Sequence, residues 1–268
     1  MQNIRACTFF SGSSANCAYI EINGRAILID AGGGIRKTSE YLNEIGSNYD
    51  KIDAVFVTHE HSDHINGLAP ICNRFNIPII SNANTLRAIA KAQPSINTDL
   101  FRPMPTGAKA VRNDFEVTSF ATSHDSAESV GYIIKTNQGN IGVVTDLGQY
   151  TEEVEENVSS CKILILEANH DEQMLRTGRY PYFLKKRISG NSGHLSNVQS
   201  GNLLSSILHK GVKKVMLAHL SCENNTPSLA LSSVSDAATS VGAIVGGDIM
   251  IDVAPRNGIS KIMDLVTI

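Results

Sequence analysis

Apolar residues fall along this chain in short runs that stop at glycines, small polar residues or histidines, and between the runs the spacing lengthens to that of amphipathic helices. Residues 5–10 and 17–22 read as strands around a turn of small polar residues, and a third strand over 26–30 ends in Asp30 and the glycines that follow. Residues 35–46 carry Ile35, Tyr41, Leu42 and Ile45 at helical spacing and stop at Gly46. The pattern then predicts a strand over 55–58, helices near 66–75 and 83–92 around a buried strand at 77–80, and an irregular stretch over 94–106 marked by three prolines.

The second half repeats the alternation without an internal repeat of fixed period. Strands are expected near 115–121, 130–136, 140–145, 161–166 and 215–218, and short ones around 243–252. Helices are expected near 150–157, 196–209 and 227–240. This is an α/β chain, and 268 residues can be one large domain or two small ones.

Hydrophobic residues at 42% and charged residues at 18% describe an ordinary globule, and a net charge of -3 with a pI near 6.2 argues against coating nucleic acid by bulk attraction. A local basic patch stays open. Five scattered cysteines with no C-x-x-C pair read as reduced thiols, which sets the expectation of a cytoplasmic protein. The first residues have no signal-peptide pattern, and no run approaches the roughly 18 apolar residues of a membrane span, so no membrane partner is expected.

Chemistry changes this bland picture. Six of the strands empty into a polar residue: Asp30, His59, His124, Asp146, Glu167 and His219. The densest stretch follows the strand at 55–58, where His59, His61, Asp63 and His64 crowd into six positions. Neutral imidazole and carboxylate suit borderline divalent ions, and ligands two apart on extended chain project to one side. His59 and His61 therefore suit one ion, and Asp63 with His64 a neighbouring one. Asp30 stands at a strand end before glycines, where α/β proteins keep their sites. It is expected to hold a ligand loop in place without touching metal, unless it is only a turn former.

Three further features are weaker. His194, preceded by Gly193 at the start of a helix, can reach a site without being a ligand, or merely cap that helix. His170 follows the strand that ends at Glu167. From 176 to 187 the chain carries Arg176, Arg179, Lys185, Lys186 and Arg187 without an acid, interleaved with Tyr180, Tyr182 and Phe183. That run is either a solvated helix face or a surface for a polyanion with stackable bases. His209, near a helix end, is given no role.

The order strand-end Asp, H-x-H-x-D-H, His, Asp, His resembles the five motifs of the metallo-β-lactamase superfamily, matched here by Asp30, by His59, His61, Asp63 and His64, and by His124, Asp146 and His219. The resemblance implies a four-layer αββα sandwich, a single domain over 1–268, and two divalent metal ions, zinc or manganese, at one edge. It further implies His59, His61 and His124 on one ion, Asp63, His64 and His219 on the other, and Asp146 bridging. Asp146 stands where the best-known β-lactamases have cysteine, and His61 where flavodiiron oxidoreductases have glutamate, so hydrolysis other than of antibiotics is expected. The stretches Gly12-Ser13-Ser14-Ala15-Asn16, Glu167-Ala168-Asn169-His170-Asp171, Gly193-His194-Leu195-Ser196-Asn197 and the one beginning His219-Leu220-Ser221-Cys222 look like the YycJ/WalJ-like subfamily.

That subfamily implies a DNA exonuclease acting 5′ to 3′ on duplex ends through a hydroxide shared by the two ions. In such an enzyme Asp63 orients the nucleophile, His194 protonates the leaving oxygen, Glu167 orients His194, and His170, Arg179, Lys185, Lys186 and Arg187 bind substrate. With 72 residues between Asp146 and His219 there is no room for the extra domain of larger nucleases in the superfamily, so recognition is left to loops or to a partner in a homodimer. A hydrolase of thioesters, lactones or cyclic phosphodiesters would use the same ions and is the competing reading. A metal-stabilised binding protein is a third, opposed by the intact ligand set.

Overall fold

The computed structural model describes residues 3–265. Strands β1 (Ile4–Gly12), β2 (Ala15–Ile22), β3 (Arg25–Ile29), β4 (Ile52–Phe56), β5 (Ile79–Ser81) and β6 (Phe101–Pro103) form one sheet in chain order. The second sheet runs, also in chain order, through β7 (Lys109–Arg112), β8 (Phe115–Ala121), β9 (Val130–Lys135), β10 (Asn140–Val144), β11 (Cys161–Glu167), β12 (Lys214–Ala218) and β13 (Met250–Val253). A last short strand, β14 (Met263–Asp264), returns from the end of the chain to the first sheet and pairs with β1, so the sheets are tied into one unit. In the first sheet β1 to β3 are antiparallel and β3 to β6 parallel. The second mirrors it, antiparallel from β7 to β10 and parallel from β10 to β13.

Alternation along the central strands makes the layers. Ile27 and Ile29 of β3 face the other sheet, where they meet Ile163 and Ile165 of β11 in one core. Leu28, pointing the opposite way, packs with helices α1 (Ile35–Glu44), α3 (Leu68–Phe75) and α4 (Ala83–Ala92) through Leu42, Ile71 and Ile89. Leu164 and Leu166 likewise face α5 (Glu152–Ser159), α8 (Asn197–Ile207) and α9 (Pro227–Ser240). Strands covered on both faces must be apolar throughout, which is why their sequences read as unbroken hydrophobic runs. The result is the expected αββα sandwich. Each fully buried Leu or Ile in it contributes on the order of 2 kcal/mol of transfer free energy.

Differences from the sequence reading have local causes. The expected helix near 66–75 forms as α3 over 68–75, and a separate single turn, α2 (Ser62–Ile65), precedes it inside the histidine stretch, parted from α3 at Gly67. A side chain at Gly67 would sit 1.9 Å from the Gly33 carbonyl oxygen, so the loop after β3 presses on the chain there. The prolines of 94–106 hide β6, an edge strand where a missing N–H costs no ladder bond. β7 escapes notice because an edge strand with exposed Lys109 and Arg112 lacks the alternation of a half-buried one. Of the strands expected over 243–252 only β13 forms, with an isolated bridge between Val245 and Ile249.

Two short helices, α6 (Glu172–Thr177) and α7 (Tyr182–Ile188), carry the basic run. Among the described residues no helix is long and apolar enough to cross a membrane, and all five cysteines are unpaired.

Candidate metal centre

The two sheets lay their functional side chains along one edge. Asp30, His59, Asp146, Glu167 and His219 lie at or just past the carboxyl ends of parallel strands β3, β4, β10, β11 and β12, the place where an α/β sheet leaves room for a site. His124 follows β8, and His61, Asp63 and His64 come from the loop and single turn after β4. Asp30, Asp146 and His219 have φ of 63°, 59° and 57°, a left-handed conformation rare outside glycine. Strain of roughly 1–3 kcal/mol at each is tolerated because the packed sheets fix both flanks. Tyr132 of β9 ties the sheets together here by donating to the Val57 carbonyl at 2.7 Å, two residues before His59.

Almost every imidazole is held at one nitrogen, which leaves the other for the centre. His64 Nδ1 lies 2.7 Å from Asp30 Oδ2, and His124 Nδ1 donates to the Gly193 carbonyl at 2.9 Å. His59 Nδ1 lies 3.0 Å from Thr58 Oγ1, whose hydroxyl donates in turn to Asp30. Asp30 also accepts from the Thr58 backbone N–H at 2.8 Å, so this carboxylate ties down the loop that carries His59. Glu167 Oε1 lies 2.9 Å from His219 Nδ1 and 2.8 Å from His194 Nδ1, and its other oxygen accepts the backbone N–H groups of Leu147 and Leu195. The geometry therefore contains the expected Glu167–His194 contact and an unforeseen one to His219.

Among the described residues the free faces converge in four groups, two of which share no residue. His59, His61 and His124 bring ligand atoms within 4.8 Å of one another, with His61 Nδ1 and His124 Nε2 3.3 Å apart. Asp63, His64 and His219 form the second group, Asp63 Oδ2 lying 3.5 Å from Nε2 of each histidine. Asp146 stands between them, Oδ1 3.6 Å from His124 Nε2 and Oδ2 3.1 Å from His64 Nε2.

Buried His59 Nε2 and His219 Nε2 have no hydrogen-bond partner, and Asp146 Oδ2 makes no hydrogen bond with His64 Nε2 despite the 3.1 Å between them. Orphaned atoms of this kind are costly unless a ligand completes them. Burial keeps His59 neutral, its pKa well below the usual value. Burial would push the Asp146 carboxyl up, but the His219 and His64 imidazoles outweigh it and hold the group well below the usual carboxylate range. Glu167 is held down to about 2 against its burial, by His194 and His219. Those carboxylates in turn raise His64 well above the usual imidazole value and His219 to about 10, against the burial of both; a divalent cation would take the place of those protons, since imidazole and carboxylate donors fit it in both charge and chemistry.

A cleft of about 270 Å³ opens over the centre, lined among others by Ser13, His61, Asp63, Asp146, Arg187, His194 and His219. Here the structure divides the candidate substrate residues. Arg187 lines the cleft, its guanidinium bound to Asp125 by contacts of 2.5 and 2.9 Å. His170, Lys185 and Lys186 line a different cavity, and Arg179 lies exposed on the bend between α6 and α7. His209 sits in a single 3₁₀ turn after α8.

Asn16 was not foreseen as a site residue. Its Nδ2 lies 3.0 Å from both Asp63 Oδ2 and His64 Nε2, while Gly12 holds it from behind through its N–H and carbonyl. The only sequence signal was its place in the turn of small residues singled out for the subfamily. Thr58 and the Gly193 carbonyl give no signal, since a hydroxyl or backbone oxygen is available almost anywhere.

An αββα sandwich with a histidine and carboxylate centre at its open edge defines the class: a metal-dependent hydrolase. The sequence pattern of the Beta-lactamase superfamily domain matches residues 25–220. The chain is 33% identical over 236 residues to exodeoxyribonuclease YycJ of Bacillus anthracis, covering 88% of this chain and 89% of that protein. It is 32% identical over 222 residues to exodeoxyribonuclease WalJ of Streptococcus pneumoniae, covering 82% of each. Among solved structures, zinc-bound PqqB of Methylobacterium extorquens shares the fold with a TM-score of 0.73 at 15% identity, over 97% of this chain and 99% of that one. The chain belongs to the β-lactamase superfamily, in its YycJ/WalJ group.

Proposed function

We propose that this protein is a dinuclear phosphodiesterase that removes nucleotides from duplex DNA ends in the 5′ to 3′ direction. The observation that carries the reading is the pair of ligand groups flanking Asp146, set in a chain similar over most of its length to proteins named exodeoxyribonucleases. His59, His61 and His124 would hold one zinc or manganese ion and Asp63, His64 and His219 the other, with Asp146 between them. When bound, two such ions acidify a water and neutralise charge on the phosphate oxygens.

The protein's own groups do the rest. Asp63, steadied by Asn16, faces the cleft and orients the attacking water. His194 has its Nδ1 committed to Glu167, so Nε2 is the nitrogen that gives a proton to the leaving 3′ oxygen. Arg187, fixed by Asp125 through two of its nitrogens, offers its remaining N–H groups to a phosphate at the rim of the cleft. At about 270 Å³ the cleft is at the bottom of the range for cavities that enclose a small molecule. It suits a phosphodiester whose chain continues outside.

Degradation of end-labelled duplexes, with bis-p-nitrophenyl phosphate and a thioester as comparison substrates, tests the proposal. The duplex should be shortened from its 5′ ends. His61→Ala should lose bound metal and turnover together, whereas His194→Ala should keep its metal and lose turnover by about 10²-fold or more. Turnover confined to the small esters, or a near-normal rate in His194→Ala, would contradict the reading.

A further inference from the structure

The wall of the cleft has a second side. His194 lines the metal cleft, while Ser196, two residues on, lines a separate cavity of about 500 Å³; Leu195 between them is fully buried. Helix α7 is shared in the same way, with Arg187 on the cleft and Lys185 and Lys186 on the second cavity. Two residues of chain span at most roughly 7 Å, about two nucleotides at a rise of 3.4 Å each.

The lining of the second cavity is chemically specific. Arg176, Lys185 and Lys186 supply three cations against one acid, Glu172, whose carboxylate accepts the Ser196 hydroxyl at 2.9 Å. Lys185 is anchored by donating to the Arg176 carbonyl at 2.8 Å. His170, 2% exposed, also lines it, and its buried Nδ1 has no hydrogen-bond partner. Burial pushes this imidazole down to about 4, so at neutral pH it is an uncharged hydrogen-bonding group. Leu175 and Tyr182 add an apolar surface, and Tyr182 and the adjacent Phe183 are 80% and 73% exposed. Exposed aromatics beside cations are what a base with an attached phosphate can use.

We propose that this cavity binds a nucleoside monophosphate unit, its phosphate against Arg176, Lys185 and Lys186 and its base against Tyr182 and Leu175. The inference rests on the nuclease reading only for where the unit comes from: a nucleotide of the bound strand, or the mononucleotide just released.

Calorimetric titration of the full-length, metal-loaded protein with 2′-deoxyadenosine 5′-monophosphate tests it. Binding should weaken at least tenfold in Lys185→Ala/Lys186→Ala at unchanged metal content, weaken in Tyr182→Ala, persist in His61→Ala, and be lost when deoxyadenosine replaces the monophosphate. If the wild type does not bind, or the double variant binds equally well, the site is refuted. Since no turnover is read, a failed duplex assay would sink the nuclease reading and leave this site standing. A mononucleotide that raises the KM for duplex in the wild type but not in Lys185→Ala/Lys186→Ala marks the cavity as a strand site. One that binds without changing KM restricts it to the released nucleotide.

Discussion

An imidazole presents one nitrogen to a metal only if something holds the other, and here hydroxyl, carbonyl and carboxylate groups do so for His59, His64, His124 and His219. Asn16 does comparable work for Asp63 and is the test case, since it carries no charge. Asn16→Ala should lower divalent-ion affinity by about tenfold or more, read by competition with a chelating dye; an unchanged affinity would remove it from the centre. The ligands themselves were legible because histidine and aspartate at strand ends are informative residue types. Asp30 apart, the contacts that hold them were not, because Asn16 reaches Asp63 across 47 positions and Glu167 reaches His219 across 52. Such pairings exist only after folding.

His170 supplies a pH prediction. Its burial lowers the pKa from 6.5 to about 4; His194 adds to that effect, while Glu167, Glu172 and Asp171 oppose it. The unfolded chain therefore takes up this proton first as pH falls, and the stability due to neutral His170 is lost from about pH 6.5 and levels off below about 4. Between pH 7 and pH 5 that loss is about 2 kcal/mol. His170→Asn should flatten the fall by that amount in urea unfolding, and identical slopes in the two proteins would contradict the burial argument.

Among the elements, those covered on both faces were readable and those at the edges were not. β3, β11 and β12 are apolar along nearly their whole length and β4 only after Asp53, so its start at Ile52 was missed, whereas β6 and β7 border their sheets and answer to pairing alone. The loop after β3 shows how an element sets the site. A side chain at Gly32 would meet the Asp63 carbonyl at 1.8 Å, whereas one at Gly34, two residues on, would meet nothing within 4 Å. Gly32→Ala should cost about 2 kcal/mol or more and loosen metal binding, because Asp63 has to move. Gly34→Ala should change stability by less than about 1 kcal/mol. Equal effects in the two variants would mean that the β3 loop does not brace the ligand turn.

At the scale of the whole molecule, two sheets of mirrored pairing bring the carboxyl ends of five parallel strands to one edge, and the centre forms only where both contribute. Asp30 and the histidine stretch come from the first sheet, His124, Asp146, Glu167 and His219 from the second. The sequence motifs pointed to this arrangement, since their order follows that of the strands. The two-sided wall was hidden, because α6 and α7 read as a single basic run until folding sent Arg187 to the cleft and Lys185 and Lys186 to the cavity behind it.

The most direct test is stepwise loading of the metal-free protein with manganese or zinc, following bound ion and degradation of an end-labelled duplex together. Cleavage should stay near background through the first equivalent and rise as the second binds, reaching a plateau at two ions per chain. Full activity with one ion per chain, or two bound ions and no cleavage of the duplex, would contradict the account.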